Sequence, residues 1–120
     1  MTGYVDGQDR ALLVVSLCPA EQAGPTDITV WIDTAFTGDL VLPRSQVAAL
    51  RLPIGVAVPA VLADGSAVEV DAFTAHIEWF GKTRSLEVIA NEGRIPLLGM
   101  GLLRGRKLTI DYAARTLTLD

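Results

Sequence analysis

The sequence predicts a mainly β, barrel-like domain with one or two short helices. Apolar runs of about four to eight residues recur along the chain, and several alternate with polar residues as half-buried strands do. Turn-forming residues such as the Asp64-Gly65 pair separate these runs. Half of the 120 residues are hydrophobic, which is enough for one core. The runs amount to about eight short strands, a number typical of small barrels.

The first half of the chain predicts a hairpin, a third strand and a short helix. Residues 12–18 are apolar and predict a strand, and residues 19–26 predict a loop because they contain prolines and a glycine. Residues 27–32 predict the second strand of the hairpin, since their apolar residues alternate with others. Residues 40–42 predict a short buried strand, and residues 45–50 predict a brief helix.

A long hairpin is predicted in the middle of the chain. Residues 56–62 and 66–80 read as strands, and the Asp64-Gly65 pair between them is a good hairpin signal. The apolar positions of the second strand change parity near Asp71. Because side chains alternate between the two faces of a strand, the buried face must switch there. The tip of the hairpin is therefore expected to project from the body as an arm.

The last third of the chain predicts strands and one short helix. Residues 86–90 predict a strand. Residues 97–103 form an apolar run, in which a short helix is expected to begin near Gly99. Residues 108–112 and 117–119 predict a final hairpin, because their apolar residues alternate with polar ones on either side of a turn.

The two ends of the chain differ in character. Residues 1–11 are polar and contain glycine, so they are expected to be flexible. Residues 12–120 are expected to form a single domain. The first residues show no basic region followed by an apolar run, so no signal peptide is predicted. Cys18 is the only cysteine, which excludes a disulfide within the chain and favours a cytoplasmic location.

Charge and composition argue against several classes of partner. The net charge is −4 and the basic residues are mostly scattered, which disfavours nucleic acid. No apolar run approaches the roughly 20 residues that span a bilayer, so no membrane segment is expected. The only histidine, His76, lies in a strand pattern, and nothing in the sequence links it to Cys18. No metal site is predicted, because no suitable spacing of histidine and cysteine exists.

Asp33 is the residue whose position most needs an explanation. It directly follows the apolar end of a predicted buried strand, and a second apolar run lies shortly beyond it. Acids are rarely buried without a partner. The acid either caps a turn at the end of the strand, as aspartate often does, or meets a specific partner.

Three sequence features, the first of which contains Asp33, point to one family. Residues 32–40, IDTAFTGDL, resemble the active-site turn of the retropepsin-like aspartic proteases, most closely the prokaryotic single-domain type with the signature D-T-G-F-T-G. Residues 96–103, PLLGMGLL, resemble the second motif of that family, in which apolar residues and a glycine lead into a short helix. The Asp64-Gly65 hairpin falls where the family has its flap. The three features occur in the family's order.

This resemblance implies a small, closed barrel-like acid protease fold and an aspartic endopeptidase. Asp33 would be the catalytic acid. The chain has no room for a second lobe, so the resemblance places the second carboxylate on another copy, as Asp33 across a two-fold axis. The two acids would share a proton and activate a water that attacks the peptide bond. The resemblance thus implies a homodimer, a peptide or unfolded polypeptide as substrate, and no cofactor.

The other motif positions are implied to support the catalytic turn or the substrate. Thr34 would hydrogen-bond across the axis and hold the two turns together, and Phe36 would pack beneath the turn. The second motif would support the turn from below, and the flap would close over an extended substrate that bonds like an added strand. The second-motif residues are Leu98 and Gly99, and the flap residues are Asp64 and Gly65.

Ala35 departs from the family pattern, which has glycine at this position. Glycine lets the backbone approach the carboxylate and the substrate without a Cβ between them. An alternative function is therefore a catalytically weak or inactive dimer of the same fold that binds peptides or serves as a scaffold. A smaller departure is Gly101, where a polar residue is common in relatives.

A third hypothesis is a monomeric β-barrel that binds a ligand and is unrelated to proteases. Asp39 is predicted to be a turn acid on the solvent face.

Overall fold

The computed structural model describes residues 1–19, 24–55, 57–61 and 64–120. It is mainly β with two short helices, which confirms the predicted fold class. The strands are β1 (Thr2–Val5), β2 (Ala11–Cys18), β3 (Thr26–Ile32), β4 (Leu40–Pro43), β5 (Val58–Val61), β6 (Ala67–Val70), β7 (Ala72–Trp79), β8 (Lys82–Asn91), β9 (Leu97–Leu98), β10 (Leu108–Asp111) and β11 (Thr116–Leu119). The helices are α1 (Arg44–Leu50) and α2 (Met100–Leu103).

The strands surround a common apolar core. Nine of them form one sheet in the order β10-β11-β1-β2-β3-β9-β4-β8-β7, and β5 and β6 form a separate two-stranded sheet. Because β7 also pairs with β2, the pairings that run through β3, β9, β4 and β8 return to β2. Each of these six strands contributes buried side chains to the core: Leu13, Val30, Leu98, Leu40, Val88 and Ile77.

The alternation predicted for β3 is present. Ile28, Val30 and Ile32 are buried, whereas Thr29 and Trp31 are exposed. The inward residues pack against the core, and the strand pairs with β2 along most of its length. This packing fixes the direction in which β3 delivers the chain to Asp33.

The central hairpin forms the predicted arm. β5 and β6 pair only with each other in the described ladder, and Asp71 separates β6 from β7. The change of parity near Asp71 is therefore a change of sheet: β6 belongs to the arm, and β7 belongs to the main sheet. The predicted strand ends at Val56 and Leu62, and the turn residue Ala63, lie outside the described residues.

The N-terminal segment differs from the expectation that residues 1–11 are flexible. β1 lies between β11 and β2, with Tyr4 opposite both Thr116 and Leu12. Asp6 then closes the turn into β2, since its Oδ1 accepts the N–H of Arg10 at 2.9 Å. The pairing with β11 joins residues far apart in the sequence, so local patterns do not reveal it.

Val5 tests whether this strand contributes to stability. Its side chain is only 4% exposed, so Val5→Ala is expected to lower the free energy of unfolding by about 2 kcal/mol through lost burial and a small cavity. Urea denaturation measures this change. Gln8→Ala, at an exposed position in the next turn, is the control and should change the value by less than about 0.5 kcal/mol. Equal stability of the two variants would contradict a packed β1.

β8 is longer than the predicted strand at residues 86–90. Its first residues are exposed, and they pair with β7, with Thr83 opposite Glu78 and Arg84 opposite Ile77. Because these positions are polar and face solvent, they carry no apolar signal in the sequence. Within the described ranges, no helix is long and apolar enough to cross a membrane.

Candidate active site

Asp33 lies immediately after β3, at the start of a tight turn. Its main-chain N–H donates to the carbonyl of Leu98 at 2.9 Å, so the strand pairing continues to this residue. Its Oδ1 accepts the N–H of Ala35 at 3.0 Å, and its carbonyl accepts the N–H of Phe36 at 3.3 Å. A side chain that accepts the N–H two residues further on forms an Asx turn. The main chain therefore fixes the direction of the carboxyl group.

The second motif lies directly beside this turn. β9 runs between β3 and β4, with Leu98 opposite Ile32 on one side and Leu40 on the other. Leu98 is fully buried. The structure thus brings together the two motifs, which are far apart in the sequence, and places β9 between the strands that enter and leave the turn.

Gly99 is held against the turn at close range. Its N–H donates to the carbonyl of Asp39 at 2.9 Å, and the next N–H, of Met100, donates to the carbonyl of Phe36 at 2.7 Å. A Cβ at Gly99 would overlap the carbonyl oxygen of Gly38 and the ring of Phe36, and would lie 2.7 Å from the carbonyl oxygen of Phe36. No side chain fits here, so this close approach requires glycine.

The tip of the turn is open to solvent in the single chain. Asp33 is half-buried, and Thr34 and Ala35 are exposed. Among the described residues, no donor bonds the second carboxylate oxygen, Oδ2. The acid is therefore less enclosed than its position after a buried strand predicts. Ala35 is not among the residues with positive φ, so its backbone conformation does not require glycine.

The flap turn has its own hydrogen bonds. Gly65 has a φ of +86°, a conformation that favours glycine. Asp64 Oδ1 accepts the hydroxyl of Ser66 at 2.6 Å and its N–H at 2.9 Å. These two bonds hold the pKa of Asp64 below its ordinary value, and the bond from the Ser66 hydroxyl has the larger effect. In the described part of the chain, no hydrogen bond joins this turn to the Asp33 turn.

Asp39 corrects the prediction of an acid on the solvent face. Its side chain is only 19% exposed, and its Oδ2 accepts the N–H of Glu87 on β8 at 3.2 Å. Its Oδ1 lies 3.7 Å from Arg84 Nη2. The only signal in the sequence was its position just before the buried run at 40–42, because its partners lie far away along the chain.

The structure also places Cys18 opposite His76 across β2 and β7, a link that the sequence does not show. His76 Nδ1 is buried without a hydrogen-bond partner among the described residues, so the two side chains are not bonded through that atom. Within the ranges that the structure covers, no three side chains of histidine, cysteine, aspartate or glutamate lie close enough together to hold a metal ion.

Comparison with known proteins supports the same fold. The chain is similar to the crystal structure of a retropepsin-like aspartic protease from Rickettsia conorii, with a TM-score of 0.64 and 18% identity over 99% of this chain and 88% of that chain. It is also similar to EIAV protease complexed with the inhibitor HBY-793, with a TM-score of 0.57 and 21% identity over 88% of this chain and 97% of that chain. No protein-family model and no curated protein matches the sequence. The chain therefore has the retropepsin-like fold that its motifs indicate.

Proposed function

We propose that this chain is an aspartic endopeptidase that acts as a homodimer, with Asp33 of each copy facing the other across a two-fold axis. The observation that carries the proposal is the state of the Asp33 carboxyl group. One oxygen is fixed by the N–H of Ala35, whereas the other accepts no hydrogen bond in the described chain, and Asp33 is only half-buried at the start of an exposed turn. That turn stands in a fold shared with two proteins described as proteases.

The chemistry follows from pairing the two acids. Two carboxylates about 3 Å apart cannot both ionise, so they share one proton and titrate as a pair. The ionised member takes a proton from a bound water, which attacks the carbonyl carbon of the peptide bond. The protonated member donates to the carbonyl oxygen, and a proton then passes to the leaving nitrogen. No covalent intermediate with the enzyme is needed.

Exposed groups around the turn support a second copy and a peptide substrate. Thr34 is exposed beside Asp33, where its hydroxyl can bond to the turn of the partner. The arm exposes Val61 and Val68 to solvent, and closing it over an extended peptide would bury these side chains. A peptide bound in this way adds backbone hydrogen bonds like a further strand.

A catalytically inactive dimer that binds peptides is the second candidate, and Ala35 is the observation that favours it. Its methyl group lies at the exposed tip of the turn, two residues from Asp33. In the proposed dimer, a methyl group there would narrow the space between the carboxylate and a bound substrate. Misplacement of a reacting group by about 1 Å costs about a hundredfold in rate. The backbone conformation of Ala35 favours the enzyme, because its φ is not positive and therefore does not require glycine.

A cleavage assay separates the two candidates. The protein is incubated with an unfolded polypeptide from acidic to neutral pH, with and without pepstatin. The mass of the protein in solution, and hence its oligomeric state, is measured separately by sedimentation. Cleavage that pepstatin blocks, by a dimer, supports the endopeptidase. A dimer that binds the polypeptide without cleaving it at any pH supports the binding module. A monomer at micromolar concentration contradicts both.

Ala35→Gly measures how much the methyl group costs. We expect kcat/KM to rise by about tenfold or less, because the turn already has a geometry that both residues adopt. The same assay gives the value, and denaturation should show a slight loss of stability, since glycine is more flexible in the unfolded chain. A dimer that gains cleavage only with Ala35→Gly would identify the methyl group as the cause of inactivity.

A further inference from the structure

The Asp39 carboxylate connects the Asp33 turn to a neighbouring strand. Asp39 directly precedes β4, whose first residue, Leu40, is opposite Val88 of β8 in a parallel pairing. The N–H of Glu87, one residue before Val88, donates to Asp39 Oδ2 at 3.2 Å. A side chain therefore provides the acceptor for the strand N–H that precedes the first paired position. Hydrogen bonds to a carboxylate are stronger than those between neutral groups.

The same residue also holds the second motif. Its carbonyl accepts the N–H of Gly99, and the carbonyl of Gly38 accepts the N–H of Gly101, both at 2.9 Å. Arg84 of β8 donates from Nη2 to the carbonyl of Gly101 at 3.3 Å and lies near Asp39 Oδ1. Three segments thus meet at Asp39: the catalytic turn, the second motif and β8.

Gly101 provides the space for this carboxylate. A Cβ at Gly101 would overlap Asp39 Oδ1 and would lie 3.0 Å from the main chain of Gly38. Any larger residue would have to displace the carboxylate from between the second motif and β8. Gly101 departs from the family pattern, in which a polar residue is common, and the carboxylate of Asp39 occupies the space that a side chain at Gly101 would need.

We propose that Asp39 is a positioning residue for Asp33, because it ties the catalytic turn to β8 through the N–H of Glu87. This inference rests on the proposed peptidase function. Asp39 does not contact Asp33 by any hydrogen bond in the described chain, so it acts through the turn. Among the described residues, the turn is bonded to the second motif at Asp33, Phe36, Gly38 and Asp39, and of these four only Asp39 also bonds to β8.

Because solvent reaches Asp39, its replacement is expected to cost little stability, so an effect on kcat can be distinguished from a loss of stability. Asp39 lines an open cleft of about 290 Å³ together with Thr74, Ser85, Leu86 and Glu87. In Asp39→Ala, water from this cleft can bond the freed N–H of Glu87, which limits the loss of stability. Water does not tie the turn to β8, however. The ion pair with Arg84 is long, at 3.7 Å, and its arginine is exposed, so the pair contributes little to stability.

Steady-state kinetics test the proposal in the proposed homodimer of this chain. Asp39→Ala is expected to lower kcat by about tenfold to a hundredfold with KM changed by less than about threefold. Asp39→Asn keeps an oxygen that accepts the N–H of Glu87, so it should restore kcat to within about threefold of the original. Arg44→Gln is the matched control: it removes the ion pair of Arg44 with Glu92, 2.9 Å long and also next to β8, and should leave kcat unchanged. Unchanged kcat in Asp39→Ala, or a change in KM alone, would overturn the proposal.

Amide hydrogen exchange gives a second measurement that needs no activity. The N–H groups of Gly99 and Gly101 report on the bonds between turn and second motif, and Asp39→Ala should speed their exchange by about tenfold, while the N–H of Leu117 stays as it was. A dimer that cleaves nothing would contradict the proposed function. Hydrogen exchange would then test only whether Asp39 ties the turn to β8. Faster exchange at the two glycines would support it, and unchanged exchange would refute it.

Discussion

Asp33→Asn is expected to lower the proposed peptidase activity by about a thousandfold or more. An asparagine neither ionises nor shares a proton, so the proposed pair would lose the base that activates water. The amide oxygen still accepts the N–H of Ala35, as Oδ1 of Asp33 does, so the turn should keep its shape. The free energy of unfolding should therefore change by less than about 1 kcal/mol. Polypeptide cleavage and urea denaturation measure the two quantities on the same samples.

Asp111→Asn is the matched control for this substitution. Asp111 also accepts main-chain N–H groups in an exposed turn, from Ala113 and Ala114, both at 2.9 Å. It lies at the end of β10, outside the Asp33 turn. Its replacement should leave the activity unchanged. An Asp33→Asn protein that cleaves as fast as the Asp111→Asn protein would exclude Asp33 as the catalytic acid.

Mixing the original and Asp33→Asn chains tests whether one site is shared by two copies. After subunits exchange, an equal mixture contains about one-quarter original dimers, and only these have two acids. Activity should fall to about one-quarter of that of the original protein at the same total concentration. A fall to about one-half would mean that each chain works alone, which would contradict the shared pair.

Gly99→Ala is expected to produce the largest loss of stability, about 3 kcal/mol, together with loss of activity. The added methyl group would overlap the carbonyl oxygen of Gly38 and the ring of Phe36. Two of the close atoms are main-chain oxygens, so rotation of one side chain cannot relieve the overlap. The turn has to move away from the second motif, which would displace Asp33. Urea denaturation measures the stability, and the cleavage assay measures the consequence for Asp33.

Gly7→Ala is the control for the general effect of replacing glycine. A Cβ at Gly7 has no neighbour within 4 Å, and its φ is not positive. The substitution should change the free energy of unfolding by less than about 1 kcal/mol, and the direction should be a slight gain because alanine restricts the unfolded chain. If Gly99→Ala proved as stable as Gly7→Ala, the close contact between the second motif and the turn would be wrong.

Local patterns predicted most of the strands that carry the site. The alternation of Ile28, Val30 and Ile32 predicted both β3 and its buried face, because side chains of a strand alternate wherever one face meets a core. The parity change at Asp71 predicted the boundary between the arm and the main sheet for the same reason. The positions of Asp33 and Gly99 within their motifs were also visible, since both depend on a few adjacent residues.

Patterns along the chain did not predict interactions between distant residues; only the family resemblance implied that the second motif supports the Asp33 turn. β1 has one buried residue, Val5, and its place in the sheet depends on pairing with β11. The sequence predicts a solvent-facing acid at Asp39 because its partners on β8 have no fixed spacing from it along the chain. Neither feature has a repeating pattern that could be read along the chain.

The amino-acid sequence alone thus predicts the strands, the turns and the candidate acid, because backbone preference and side-chain alternation act over only a few neighbouring positions. The tertiary structure determines the distances between segments that are remote along the chain. It places Leu98 and Gly99 against the Asp33 turn and brings the carboxylate of Asp39 to Glu87. These contacts exist only after the core has packed, because the packing of β3, β9, β4 and β8 sets how closely the segments between them approach one another.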